Sequence, residues 1–148
     1  MHFVYDDGGR KESGYKGTTG DCATRAIAIA AGLPYATVYA ELADGCANQR
    51  ASKHTPKMSR SAANGIYRKR KWFKDYMKSL GFTWTSTMGI GTGCTVHMRS
   101  NELPKGRLVV ALSKHIAAVI DGKLYDNHDC TRNGTRCVYG YWKLTEDE

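Results

Sequence analysis

The sequence predicts an α+β fold in which N-terminal helices pack on an antiparallel β-sheet. The first indication is a run of small apolar residues over 23–31 that ends at Gly32, which is typical of a buried helix with a left-handed glycine stop. The second is a pair of apolar, β-branched runs on either side of Asp121-Gly122, which predicts a hairpin with a two-residue turn. Helical signals precede most of the strand signals, so helices and strands are expected to be segregated along the chain.

The individual elements follow from the spacing of apolar residues and from turn residues. Pro34 suits the first turn of a second helix, and Gly45 is the predicted stop of that helix. The apolar stripe of a third helix ends at Leu80, before Gly81. In chain order the predicted elements are an edge strand over 3–5, helices over 22–31, 34–45 and 60–80, strands over 82–85 and 94–98, the hairpin within 107–128, and a final strand over 137–143.

Length and composition are those of one domain spanning residues 1–148. Hydrophobic residues make up 41% and charged residues 24% of the chain, yet no apolar run approaches the ~20 residues of a membrane span, so no membrane partner is expected. The N-terminus is neither a secretory signal nor a transit peptide, which predicts a cytoplasmic location. Five cysteines without framework spacing predict free thiols rather than disulfides.

The chain is basic, with a net charge of +8. Cationic residues crowd the third predicted helix, from Arg68 to Lys71 and again at Lys74 and Lys78. Such a face could bind nucleic acid or an acidic protein, with Arg68–Lys71 as the predicted contact. A solvated helix surface is the simpler interpretation of charge alone.

Cys22 stands at the predicted start of the first helix, directly after the turn and cap residues Gly20-Asp21. A thiol at this position lies at the positive end of the helix dipole, beside backbone N–H groups that have no helical acceptor. These surroundings lower the pKa of a thiol and favour the nucleophilic thiolate. The alternative is that Cys22 is a small apolar core residue.

The predicted hairpin gives a histidine an acidic neighbour. Its turn pairs His115 with His128 across the two strands. Asp126 then lies diagonally opposite His115 and on the same face, because side chains alternate along a strand. A general base and its orienting group need this arrangement. The alternative is that His115 is a surface histidine at a strand end.

The helix start Gly20-Asp21-Cys22, followed late in the chain by a histidine that opens a strand and an acid on the next strand, resembles the papain-like cysteine peptidase superfamily. Its small NlpC/P60- and C39-like members are the most similar in size. Three further blocks, at 91–97, 102–107 and 134–142, are similar to small phage and prophage proteins that are described as candidate cysteine proteases.

The resemblance implies a papain-like fold and a cysteine hydrolase that acts on a peptide, isopeptide or related amide bond, without a cofactor or a metal. Cys22 would be the nucleophile, His115 the general base and Asp126 the orienting third member. His128 is the alternative to Asp126 in that last role. The protein would be phage-encoded and would act on a protein or peptide in the host cytoplasm.

One departure from the papain pattern concerns the oxyanion site. Papain-type enzymes place a glutamine six residues before the cysteine, where this chain has Lys16. The backbone N–H of Cys22 can donate one hydrogen bond to a developing oxyanion. The second donor is left open among Tyr15, Lys16, Thr18 and Thr19.

Two other functions fit parts of the sequence. A tetrahedral zinc site could use the close pairs Cys94-x-x-His97 and His128-x-Cys130 with Cys137. Against it, Cys130 and Cys137 are well separated in the sequence, and His128 already lies on the predicted catalytic face. A non-catalytic module on the same fold would use the basic helix to bind nucleic acid or to inhibit a host protein. The zinc ligands considered are Cys94, His97, His128, Cys130 and Cys137.

Overall fold

The computed structural model describes residues 1–15, 21–48, 68–89 and 91–145, and in these ranges the fold is mixed α+β. The described residues form three helices and one six-stranded sheet. No helix in these ranges is long and apolar enough to cross a membrane. The elements are β1 (His2–Tyr5), α1 (Cys22–Ala31), α2 (Tyr35–Ala47), α3 (Lys71–Ser79), β2 (Phe82–Ser86), β3 (Arg107–Leu112), β4 (His115–Ile120), β5 (Lys123–Asp126) and β6 (Gly140–Leu144).

The strand order of the sheet is β1-β5-β4-β3-β6-β2. Neighbouring strands are antiparallel except β1 and β5, which run parallel. The prediction of a wholly antiparallel sheet is therefore wrong at this edge. The physical reason is that three helices and three strands lie between β1 and β5 in the chain, and so long a connection allows parallel pairing.

Helices cover one face of the sheet and loops cover the other. The helix-side core joins α1, α2 and α3 to alternate residues of β3 and β4, among them Val109 and Ala118. The loop-side core contains the intervening residues, among them Val110 and Val119, packed with Met98 and other loop residues. Apart from their first residues, Arg107 and His115, the strands β3 and β4 are apolar because both of their faces are buried.

The bounds of α1 are those predicted. Gly32 ends the helix with a φ of 68°, and its N–H donates to the carbonyl of Ile29. The guanidinium of Arg107, on β3, donates to the carbonyls of Ile29 and Ala30 at 3.3 Å each. A cation at the negative end of the helix dipole stabilises the docking of α1 on the sheet.

The predicted hairpin is confirmed, with Ile120 paired to Lys123. Asp121 and Gly122 have φ angles of 48° and 79°, as a turn with positive φ at both central residues requires. A second tight turn precedes it, because Leu112 of β3 pairs with His115 of β4.

The predicted end of α2 at Gly45 is wrong, because the helix continues to Ala47. A Cβ atom added at Gly45 would overlap the indole ring of Trp72. Trp72 also packs edge-on against Phe73, with ring centroids 5.9 Å apart. Gly45 therefore permits close approach of α3 to α2 and does not act as a helix stop.

Replacing Gly45 by alanine is expected to destabilise the protein by about 1–3 kcal/mol, because the added methyl group overpacks the Trp72 contact. In a solvent-exposed helix the same change would stabilise by about 1 kcal/mol. Urea unfolding measures the sign, and a Trp72→Leu background that relieves the overlap is the control. A neutral or stabilising Gly45→Ala would contradict the close packing.

The start of α3 also differs from the prediction. The helix begins at Lys71, and 68–70 form a turn in which Arg70 is extended, with φ −67° and ψ 141°. The predicted segment 60–67 lies outside the described residues. Gly81, with a φ of 96°, follows the helix as expected.

Cys94 and Cys137 form a disulfide with a Cα–Cα distance of 5.9 Å, so the prediction of free thiols is wrong for these two residues. The predicted strand over 94–98 is reduced to one bridge, in which His97 pairs with Cys137 and brings the two segments together. The disulfide joins residues 43 positions apart, a pairing that cysteine spacing alone does not reveal. The disulfide also removes both sulfurs as thiolate ligands for the zinc site considered above.

Candidate active site

Cys22 is the first residue of α1 and is partly exposed. Its backbone N–H lies in the first helical turn, where no helical acceptor exists, and the positive end of the helix dipole is at the same place. The helix packs against β4, whose first residue is His115. The thiol of Cys22 lies close enough to the imidazole of His115 for each group to shift the pKa of the other.

His115 is held from its other side by Asp126, the last residue of β5. The two side chains meet with His115 Nε2 and Asp126 Oδ2 2.7 Å apart. Asp126 is 3% exposed, and its Oδ1 accepts a hydrogen bond from the N–H of Asn127 at 2.7 Å. Because Nε2 is engaged with the carboxylate, Nδ1 is the nitrogen left to exchange a proton with a thiol.

The imidazole lies where the two layers of the fold meet. Cys22 belongs to the helix side of the sheet and Cys130 to the loop-side core, yet both thiols lie close enough to His115 to raise its pKa. Strand alternation alone groups His115 with the loop side. Its position as the first residue of β4 brings it to the end of the sheet, where side chains from both faces reach it.

The charge state of His115 is set by these neighbours. Burial lowers the pKa of His115, but the hydrogen bond and charge of Asp126 and the two thiol contacts outweigh burial and raise it to about 11. Burial likewise raises the pKa of Asp126, and the contacts with His115, Asn127 and Arg25 reverse the effect and lower it. The pair is therefore an imidazolium and a carboxylate at neutral pH.

Cys22 experiences the same balance. Burial raises the pKa of its thiol, but the hydrogen bond and positive charge of His115 lower it, with help from the backbone of Ile116 and the charge of Arg25. The net result is a lowered pKa. A thiolate is the nucleophilic form of cysteine, so this environment activates the sulfur.

Asp21 lies at the N-cap position of α1, as predicted. Its side chain, however, makes no capping hydrogen bond and is 1% exposed. The hydroxyl of Tyr35 donates to Asp21 Oδ2 at 2.6 Å, and the guanidinium of Arg10 lies 3.1 Å from the same oxygen. Arg25 binds the other oxygen. Asp21 therefore ties the loop over 6–15 to both α1 and α2.

Arg25 connects this buried cluster to the candidate triad. One terminal nitrogen pairs with Asp21, and the other lies 3.5 Å from Asp126 Oδ1. The Arg25 side chain is 5% exposed, and its Nε has no hydrogen-bond partner within the described part of the chain. Sequence reasoning missed this role. An arginine among small apolar helical residues was the available signal, because a buried cation needs a carboxylate partner.

His128, the alternative third member, lies beside His115 with ring centroids 5.1 Å apart. Its Nδ1, however, is 2.6 Å from the side-chain oxygen of Asn127, and the carboxylate on His115 is that of Asp126. Among the candidate oxyanion donors, the ring of Tyr15 packs with Tyr35 and Tyr39. Lys16, Thr18 and Thr19 lie outside the described residues.

Three ligand-type side chains meet at the site. Ligand atoms of His115, Asp126 and Cys130 lie within 4.8 Å of one another. Two of these residues are already joined by a 2.7 Å hydrogen bond, so a metal would have to displace the contact that orients the imidazole. The arrangement suits proton transfer at a thiol. The catalytic roles of Cys22, His115 and Asp126 stay predictions.

Comparison of the chain with family models, with curated proteins and with solved structures finds no match.

Proposed function

We propose that this chain is a cysteine hydrolase, a peptidase or amidase of the papain-like type. The observation that carries the proposal is the meeting of Cys22, at the start of α1, with an imidazole that a buried carboxylate holds at 2.7 Å. The α+β arrangement, with the cysteine on a helix and the histidine and acid on adjacent antiparallel strands, supports the same proposal.

The proposed reaction is acyl transfer through Cys22. The thiol proton passes to His115, and the thiolate attacks the carbonyl carbon of an amide to form a tetrahedral oxyanion. Its collapse breaks the C–N bond, and His115 returns the proton to the leaving amine. Water then attacks the thioester, gives a proton to His115, and releases the acid and the Cys22 thiol. The raised pKa of His115 and the lowered pKa of Cys22 favour the imidazolium–thiolate pair that the first proton transfer forms.

Two thiols contact His115, and three properties favour Cys22 as the nucleophile. Cys22 is partly exposed, whereas Cys130 is 3% exposed. Cys22 also lies at a helix N-terminus, and its pKa is lowered. Cys130 belongs to the loop-side core, where a small apolar residue packs.

The substrate is proposed only as a peptide, isopeptide or related amide. A phage origin and an action in the host cytoplasm rest on the resemblance of the sequence alone. The Cys94–Cys137 disulfide is typical of oxidising environments and not of cytosol, where thiols are kept reduced.

The test of the proposal is the reactivity of Cys22 in the native protein. With limiting iodoacetamide near pH 6, Cys22 is expected to be alkylated at least about 10-fold faster than free cysteine, because an ordinary thiol is almost fully protonated there. Cys46 is the internal control, since it is fully buried and burial raises its pKa. Mass spectrometry of the alkylated peptides measures each site separately.

Two variants complete this test. Cys22→Ser is expected to remove both the fast alkylation and the cleavage of a peptide library, whereas Cys46→Ser is expected to keep them. If Cys22 reacts no faster than free cysteine while the protein is folded, the hydrolase proposal is wrong.

A further inference from the structure

A groove of about 790 Å³ lies between α3 and the edge strand β2, away from the candidate triad. Strands β3 and β6 separate β2 from β4, which carries His115. At a strand spacing of about 4.8 Å, the separation between β2 and β4 is about 14 Å. The described lining residues are Arg68, Lys69, Lys74, Lys78, Phe82, Thr83, Trp84, Ser86, Met88, Gly89, Tyr139 and Trp142.

The groove is lined by cations without neutralising acids. Arg68, Lys69, Lys74 and Lys78 line it, and no carboxylate is among its described lining residues. None of these four cations forms an ion pair with an acidic residue in the described part of the chain. Lys71 differs, because it lies 2.6 Å from Asp75 and does not line the groove. Two residues of the predicted contact, Arg68 and Lys69, thus line the groove together with Lys74 and Lys78, whereas Arg70 and Lys71 are not among its described lining residues.

Aromatic rings form one wall of the same groove. Trp84 is 39% exposed, which makes it one of two large exposed hydrophobic side chains in the described ranges. Its indole packs on Trp142, with centroids 4.4 Å apart. The guanidinium carbon of Arg68 lies 5.8 Å from the ring centroids of both Trp84 and Tyr139. The planar guanidinium of Arg68 thus lies among aromatic rings that line the groove.

We propose that this groove binds single-stranded nucleic acid. Single strands are held by cations that follow the phosphates and by aromatic side chains on which bases stack, and this groove combines both. Lys74 and Lys78 lie one helical turn apart, so both can face the same strand. An acidic peptide would use the cations but has no planar group to stack on the exposed part of the Trp84 indole, which is why nucleic acid is favoured.

This binding site is independent of the proposed hydrolase. None of the groove residues contacts Cys22, His115 or Asp126 in the interactions described above, so loss of thiol reactivity would leave the groove intact. Cys22→Ser is accordingly expected to bind nucleic acid as the wild-type chain does. The two proposals can therefore fail separately.

Fluorescence anisotropy with labelled oligo(dT) and oligo(U) tests the proposal. The double variant Lys74→Gln/Lys78→Gln is expected to bind at least about 10-fold more weakly near physiological salt, and to reduce the slope of log K against log salt by about 1.4, since two phosphate contacts are lost. Trp84→Ala is expected to weaken binding by about 5-fold or more, and Trp84→Phe to restore part of it. Lys71→Gln, on the same helix but outside the groove, is the matched control and should change little.

Three results would overturn the proposal. The first is the absence of binding to either oligonucleotide at low salt. The second is binding that Lys74→Gln/Lys78→Gln and Lys71→Gln weaken equally, which would indicate attraction by net charge alone. The third is tighter binding of an oligo-glutamate peptide than of the oligonucleotides, which would assign the groove to an acidic polypeptide. Circular dichroism and urea unfolding confirm that each variant is folded.

Discussion

Replacing His115 by alanine is expected to slow amide hydrolysis by about 10²–10⁴-fold, the range that a positioned general acid–base contributes. His115 is the group that takes the thiol proton and returns it to the leaving amine, and its Nε2 is engaged by Asp126 at 2.7 Å. Without the imidazole, Cys22 loses the hydrogen bond and the charge that lower its pKa. Initial rates on a peptide that the wild-type chain cleaves measure the loss.

His128 supplies the matched control for this experiment. Its ring lies 5.1 Å from that of His115, centroid to centroid, but its Nδ1 is engaged by Asn127. His128→Ala is therefore expected to keep most of the activity. A larger loss of activity in His128→Ala than in His115→Ala would show that His115 is not the general base.

The pH dependence of alkylation gives a second, independent readout of the same substitution. In the wild type the contact with His115 lowers the pKa of Cys22 despite its burial. The alkylation rate of Cys22 should therefore rise with pH at a lower pH than that of free cysteine. In His115→Ala the rise should move up towards the ordinary thiol range near 8.5.

Those parts of the fold that depend on local signals could be predicted from the sequence. The C-terminal end of α1 follows from Gly32. The β4–β5 hairpin follows from Asp121-Gly122, a dipeptide that accepts positive φ at both positions. Both features involve only neighbouring residues. Strand alternation in that hairpin was sufficient to place Asp126 near His115.

Features that depend on distant contacts could not be predicted in this way. A glycine such as Gly45 is a common helix-stop signal, but here Trp72 packs against it from another helix. The parallel pairing of β1 with β5 and the Cys94–Cys137 disulfide likewise join segments far apart in the chain. Their partners are chosen by tertiary packing, which no short window of sequence contains.

The surroundings of the candidate site show the same division. Cys22, His115 and Asp126 carry local signals. Cys22 follows a helix-start signal, His115 opens a predicted strand, and the hairpin register places Asp126 diagonally opposite His115. Cys130 does not, because a loop brings it to the imidazole from the other face of the sheet. The charged cluster around Asp21 also had to be found in three dimensions, since its members come from a loop and two helices.

Replacing Asp21 by alanine is expected to lower the free energy of unfolding by about 3–5 kcal/mol, the usual cost of breaking a buried ion pair from one side. Asp21 is 1% exposed and holds Arg10, Arg25 and the Tyr35 hydroxyl. Its removal would leave two buried guanidinium groups without their shared carboxylate. Urea unfolding measures the change, and Asp21→Asn, which keeps an acceptor for Tyr35, should lose less.

Asp75 provides the exposed counterpart, because its pair with Lys71 is largely open to solvent. Asp75→Ala should change the free energy of unfolding by less than about 1 kcal/mol, since exposed ion pairs contribute little. Similar losses in Asp21→Ala and Asp75→Ala would contradict the buried network.

Asp21 adjoins Cys22, and its partner Arg25 reaches Asp126 at 3.5 Å. Asp21→Ala should therefore also change the alkylation rate of Cys22 in molecules that remain folded, because it alters the surroundings of both Cys22 and Asp126.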